Sequence, residues 1–112
     1  AAAQSFARAH NCILVLKGHR TITAAPDGRA WINTSGNPGM AKGGSGDVLA
    51  GLITSFLSQK QLEFGSPAAL TAAAVYLHGS AGDKAARRFG EYGMTPEDLI
   101  AYIPEALKER ER

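Results

Sequence analysis

From Cys12 to Leu16 the chain is continuously apolar, and the run closes on Lys17-Gly18. An unbroken apolar run with β-branched members predicts a strand buried on both faces, as in a parallel sheet. Two more β-prone runs follow, Thr21–Ala25 and Arg29–Asn33, with Pro26-Asp27-Gly28 between them. Asp-Gly between such runs predicts a hairpin, because glycine readily supplies the positive φ of a tight turn. After residue 47 the period changes. Apolar residues fall at Val48, Leu49, Leu52, Ile53, Phe56 and Leu57, which is one face of an amphipathic helix.

The remaining elements announce themselves by their starts. Ser66-Pro67 is an N-cap followed by proline at the first helical position, and the helix it opens is rich in alanine through residue 86. Small side chains in that number predict close packing against a neighbour. Thr95-Pro96-Glu97-Asp98 repeats the signal, with an acid three residues after the cap. A short helix should follow with Leu99 and Ile100 inward, and Pro104 should kink it or start another. Residues 1–10 are helix formers with nothing capping their start, as if the chain entered in mid-helix. There is no internal repeat, linker or low-complexity tract.

Composition narrows the possibilities. With 112 residues, 45% hydrophobic and 20% charged, this is at most one globular domain, small for an α/β enzyme. Twelve Lys and Arg against ten Asp and Glu leave a net charge of +2, which is not the footprint of a nucleic-acid binder. The alternating signs at residues 108–112 read as a solvated helix face. Cys12 is the only cysteine, so no internal disulfide can form, and its place before an apolar run predicts a buried structural thiol. No apolar run is long enough to cross a membrane and no signal peptide opens the chain, so the expected compartment is the cytoplasm.

The chemistry concentrates in residues 37–51, NPGMAKGGSGDVLAG. Gly43, Gly44, Ser45 and Gly46 lead directly into the helix, and Asp47 falls in its first turn. The first N–H groups of a helix carry partial positive charge and point out of its N-terminus. Glycines there let an anion reach several amides at once, as in phosphate sites. A carboxylate aimed at the same point could accept a proton from a hydroxyl while the amides hold phosphoryl oxygens. Spacing alone leaves a second reading equally open, in which Asp47 merely complements the helix dipole and the glycines shape a turn. The loop is not a Walker A motif, since Lys42 precedes the glycines and no Gly-Lys-Ser/Thr ends it.

The segment GNPGMAKGGSGDVLAG, Gly36–Gly51, resembles the signature of the ADP/ATP-dependent NAD(P)H-hydrate dehydratases, repair enzymes with a ribokinase-like fold. LKGHRTI (Leu16–Ile22), LHGSAGDKAA (Leu77–Ala86) and the DLIAYIPEAL ending resemble flanking parts of the same family. The similarity covers nearly the whole chain, but only the C-terminal part of the family's domain. It implies an α/β fold in which residues 1–112 are the C-terminal segment of a single ribokinase-like nucleotide-binding domain: strand, β-hairpin, glycine loop, then packed helices. The resemblance further implies that Gly44, Ser45 and Gly46 form an anion hole over the transferred phosphoryl group. Asp47 would touch the substrate and take the proton from the C6 hydroxyl of the hydrated nicotinamide. Lys17, Gly18, His19, Arg20 and Thr21 would line the nucleotide. So would Asn37, Pro38, Gly39, Met40, Ala41, Lys42 and Gly43. ADP is the implied phosphoryl donor, with ATP possible, Mg2+ the accompanying metal, and hydrated NADH or NADPH the substrate. The Mg2+ ligands and most of the substrate pocket are expected upstream.

Other residues carry plainer expectations. His78 reads as a hydrogen-bonded core histidine, Trp31 and Tyr76 as packing residues, and Asp83 as structural. Lys42 could pair with phosphate or stand in solvent. The other expected partners are the remainder of the domain or another chain, with a homo-oligomer expected, and neither nucleic acid nor membrane. Two other functions stand beside the first: a ribokinase-like vitamin-precursor kinase, and a truncated segment that associates without catalysis.

Overall fold

The computed structural model describes residues 2–17, 20–37, 40, 44–58 and 66–109. Helix α1 (Ala2–His10) leads through a turn at Asn11 into strand β1 (Leu14–Leu16), then β2 (Ile22–Ala24) and β3 (Ala30–Ile32). Helices α2 (Ser45–Ser58), α3 (Pro67–Phe89) and α4 (Pro96–Lys108) complete the order.

The strands form a three-stranded sheet in the order β1-β2-β3. Both pairings are antiparallel, with Val15 opposite Thr23 and Thr23 opposite Trp31. The expected hairpin is therefore present. Ala25 and Gly28 close its turn through a Gly28 N–H to Ala25 C=O bond of 3.2 Å, with Gly28 at a φ of +98°. The Asp27 carboxylate accepts from Arg29 N–H at 3.0 Å, and that bond holds its pKa below the usual carboxylate range. Pairing continues past β3, where Asn33 N–H donates to Thr21 C=O at 2.8 Å.

The expectation for β1 needs correction. It pairs antiparallel with β2, its residues are only partly buried, and Leu16 is half exposed. The connection explains the direction: residues 17–21 are too few for the crossover that a parallel neighbour requires. Cys12, expected to be buried, is half-buried in the turn after α1.

Strand alternation sends the two faces of the hairpin to different helices. Ala24, Ile22 and Leu14 pack with Ala3 and Ala7 of α1. Thr23 and Trp31 look the other way and line a hollow of about 300 Å³ against Ala69, Ala73 and Tyr76 of α3. Trp31 and Tyr76 thus border a cleft, and the Arg29 guanidinium lies 5.3 Å from the Trp31 ring centre.

Helices α2, α3 and α4 share the main core: Phe56, Ala74, Leu77, Ala81, Leu99 and Ala106, with Val48, Leu52, Ile53, Tyr102 and Ile103 against them. Ala74, Ala81 and Ala85 are fully buried, as close approach along the alanine-rich helix requires. Both expected caps are present. The Ser66 side chain accepts from Ala69 N–H, and Thr95 with Asp98 makes a reciprocal capping box. In α4 Leu99 points inward but Ile100 is 52% exposed, and Pro104 lies inside one helix that continues to Lys108. Proline costs α4 one ladder bond without ending it.

Candidate active site

The N-terminus of α2 is the centre of the candidate site. Its ladder begins with Val48 N–H on Gly44 C=O at 3.1 Å, so the amides of residues 45–47 precede it. Gly44 has a φ of +97°, a left-handed conformation that side chains disfavour. Gly46 is confined: a Cβ there would stand 2.8 Å from Lys17 Nζ. The sequence separates these two residues widely, yet β1 ends where α2 begins. Lys17 Nζ thus lies beside the first turn of α2, in which Asp47 stands exposed.

The loop that reaches this point is tied down from α3. Asp83 accepts from Gly36 N–H and from Asn37 Nδ2, each at 3.0 Å. Ser35 Oγ donates to Tyr76 C=O at 3.0 Å. Met40 N–H bonds to Asn37 C=O at 3.1 Å, and the Met40 side chain fills the space over Gly82 and packs against the core.

His78 is the other anchor. It is buried, and its Nε2 lies 3.1 Å from Ser45 C=O and 3.5 Å from Ser45 Oγ. Burial lowers its pKa, the Ser45 carbonyl opposes that shift, and the Lys17 ammonium adds to it. The ring is therefore neutral at pH 7, with Nε2–H donating to Ser45. The expected core histidine is present, and its partner belongs to the site.

Of the expected nucleotide-lining residues, Lys17 reaches Gly46 at the start of α2, while Arg20 is exposed and Thr21 is engaged with Asn33. Gly18, His19, Pro38, Gly39, Ala41, Lys42 and Gly43 lie outside the described residues. Among the described residues no group of three or more His, Cys, Asp or Glu lies together as a metal cage. No helix among them is long and apolar enough to cross a membrane. Asp83, expected to be structural, holds the loop at Gly36 and Asn37.

A family model described as NAD(P)H-hydrate dehydratase matches residues 1–105. A bifunctional NAD(P)H-hydrate repair enzyme of Moorella thermoacetica is 49% identical over 109 residues, which are 97% of this chain and 20% of that protein. An ADP-dependent (S)-NAD(P)H-hydrate dehydratase of Xanthomonas campestris is 36% identical, over 94% of this chain and 35% of its own length. Among solved structures, the ADP/ATP-dependent NAD(P)H-hydrate dehydratase from Bacillus subtilis, co-crystallized with ATP/Mg2+, superposes with a TM-score of 0.88 at 33% identity. That match covers 98% of this chain and 38% of the other. The α/β fold is thus the ribokinase-like one, and the chain spans well under half of these relatives.

Proposed function

The chain belongs to the NAD(P)H-hydrate dehydratase family, and from that premise we propose that it forms the phosphoryl-binding part of an ADP-dependent (S)-NAD(P)H-hydrate dehydratase. The observation that supports this reading is the approach of Lys17 Nζ to Gly46 at the start of α2, the turn that also carries Asp47. The donor set suits a terminal phosphate: glycines where a Cβ would intrude, amides ahead of the helix ladder, and one ammonium. The name of the Xanthomonas relative supports ADP as donor. The Bacillus structure, crystallized with ATP/Mg2+, leaves ATP as a second donor. Mg2+ is commonly held by one or two carboxylates and the substrate's own phosphates. It would neutralise phosphate charge here, and the described residues offer it no cage.

In this mechanism Asp47 removes the proton from the C6 hydroxyl of the hydrated nicotinamide as that oxygen attacks the terminal phosphorus of ADP. The bond from that phosphorus to the bridging oxygen breaks and AMP leaves. Amides of residues 44–46 hold the non-bridging oxygens, where charge is greatest in the transition state. The phosphorylated hydroxyl is then a good leaving group. The ring nitrogen's lone pair expels it as phosphate, and loss of a C5 proton restores the C5–C6 double bond. The balance is hydrated NADH plus ADP giving NADH, AMP and phosphate.

Residues 1–112 would be one segment of a single ribokinase-like domain, completed by the remainder of that domain or by another chain. The substrate side of the pocket would come from there. We read the enzyme as cytoplasmic and homo-oligomeric. The test is to incubate the full-length protein with hydrated NADH, ADP and Mg2+ and follow phosphate release with the return of dihydronicotinamide absorbance. The two should rise together. Phosphate release without the hydrate, or a stable phosphorylated product, would overturn the assignment.

A further inference from the structure

We propose that Asp83 and His78 are positioning residues for phosphoryl transfer, and that α3 sets the geometry of the anion nest by gripping the chain upstream of it and within it. The proposal rests on the dehydratase reading for its reaction. Its contacts stand on their own.

His78 and Gly82 are four residues apart on α3, as are Gly79 and Asp83, so the two pairs run side by side over an arc of roughly 140°. At one end of that arc Asp83 holds Gly36 N–H and Asn37 Nδ2, one to each carboxylate oxygen. Both acceptors are therefore engaged by the loop leading to the nest. At the other end His78 Nε2–H holds the carbonyl of Ser45, the first residue of α2 and a member of the nest itself. Between them Gly79 and Gly82 have no Cβ, which is what lets Ser35 and Met40 lie against the helix. One helix thus holds the chain upstream of the nest, at Gly36 and Asn37, and within it, at Ser45.

The chemistry gives this grip its consequence. Amides stabilise a phosphoryl group only when aimed at it, and a misplacement of about 1 Å can cost roughly 100-fold. Hydrogen bonds to a carboxylate are about twice as strong as neutral ones, so Asp83 is suited to hold a loop against thermal drift. Its role is to accept, not to supply charge to phosphate or metal. That distinction can be measured.

Asp83→Ala removes both acceptors. Asp83→Asn keeps one oxygen for Gly36 N–H, and its amide can donate to the Asn37 oxygen once the Asn37 amide turns over. In the full-length protein, ADP affinity by calorimetry should fall about 10- to 100-fold in Asp83→Ala, the scale of a displaced binding geometry. Asp83→Asn should recover most of that loss, and kcat/KM for the hydrate should follow the same order. Urea midpoints measured in parallel separate lost folding from lost affinity in the folded enzyme. If Asp83→Ala does not fold, Asp83→Ser, too short to reach Asn37, takes its place with the same expectation. Wild-type ADP affinity in the acceptor-lacking variant would overturn the proposal. So would Asp83→Asn falling as far as Asp83→Ala, which would assign the role to charge. A wild-type protein that binds ADP but leaves the hydrate unchanged would defeat the dehydratase reading alone, and the affinity series would still decide this one.

Discussion

Two glycines inside helices, Gly51 and Gly79, should respond to alanine in opposite directions. Glycine in a helix interior is less favourable than alanine by about 1 kcal/mol, so propensity alone stabilises both variants. At Gly51 nothing lies within 4 Å of the added Cβ, and the full gain should appear. At Gly79 the new Cβ would overlap Ser35 Oγ and stand 2.8 Å from Ser35 C and Cβ. The hydroxyl can swing aside, but the backbone carbon can move only with its loop. Overpacking of this kind costs about 1–3 kcal/mol. Ser35 Oγ also lies 2.9 Å from Asn33 Oδ1 and 3.0 Å from Tyr76 C=O; its one proton serves one acceptor at a time, and losing that bond costs about 1 kcal/mol. Set against the propensity gain, Gly79→Ala should destabilise by about 1–3 kcal/mol. Gly51→Ala should stabilise by about 0.5–1 kcal/mol. Urea denaturation with a common m-value reads both shifts. An equal rise in midpoint for the two variants would show that the Ser35 loop does not lie on α3.

Other outcomes follow from the same contacts. Gly46→Val should push Lys17 Nζ away and block the amides, lowering turnover by about 10²–10³-fold, the usual cost of one oxyanion donor. Normal steady-state kinetics would mean phosphate does not approach residue 46. Acid should weaken the fold through His78, whose pKa burial depresses below its ordinary 6.5. The unfolded chain protonates first, so stability should fall as pH drops from about 6.5 towards the folded-state value, and be level at pH well above about 6.5. Urea midpoints across that range should slope less in His78→Gln, and identical slopes would remove His78 as the cause. ADP should outcompete ATP as donor at saturating Mg2+, and a clear ATP preference would change the donor but not the reaction class.

Local signals in this sequence were reliable because their physics is local. The turn at Pro26-Asp27-Gly28, the Ser66 cap and the Thr95–Asp98 box each need only a few neighbouring residues, and each is present. The strand at Leu14–Leu16 was legible as a strand, but its apolarity says nothing about which edge it pairs with. The short connection to Ile22 did carry that information. In α4 the inward residues Leu99, Tyr102, Ile103 and Ala106 keep helical spacing, and adjacent Ile100 necessarily turns outward. The site divides the same way. The glycines before α2 are visible in the sequence, whereas Lys17 over Gly46, His78 on Ser45 and Asp83 on Gly36 join residues far apart in the chain. A lone Gly-Asp in mid-helix gives no hint of the loop it holds.

The central claim is that Asp47 acts as a base beside an anion nest. It is tested most directly by comparing the wild-type full-length protein with Asp47→Asn in hydrate-dependent phosphate release from ADP, with ADP affinity measured on the same samples. Asparagine keeps the shape and cannot take the proton, so turnover should fall by about 10²–10⁴-fold, the range for a general base, while ADP binds nearly as before. Wild-type kcat in Asp47→Asn would contradict the mechanism, whatever the nucleotide affinity.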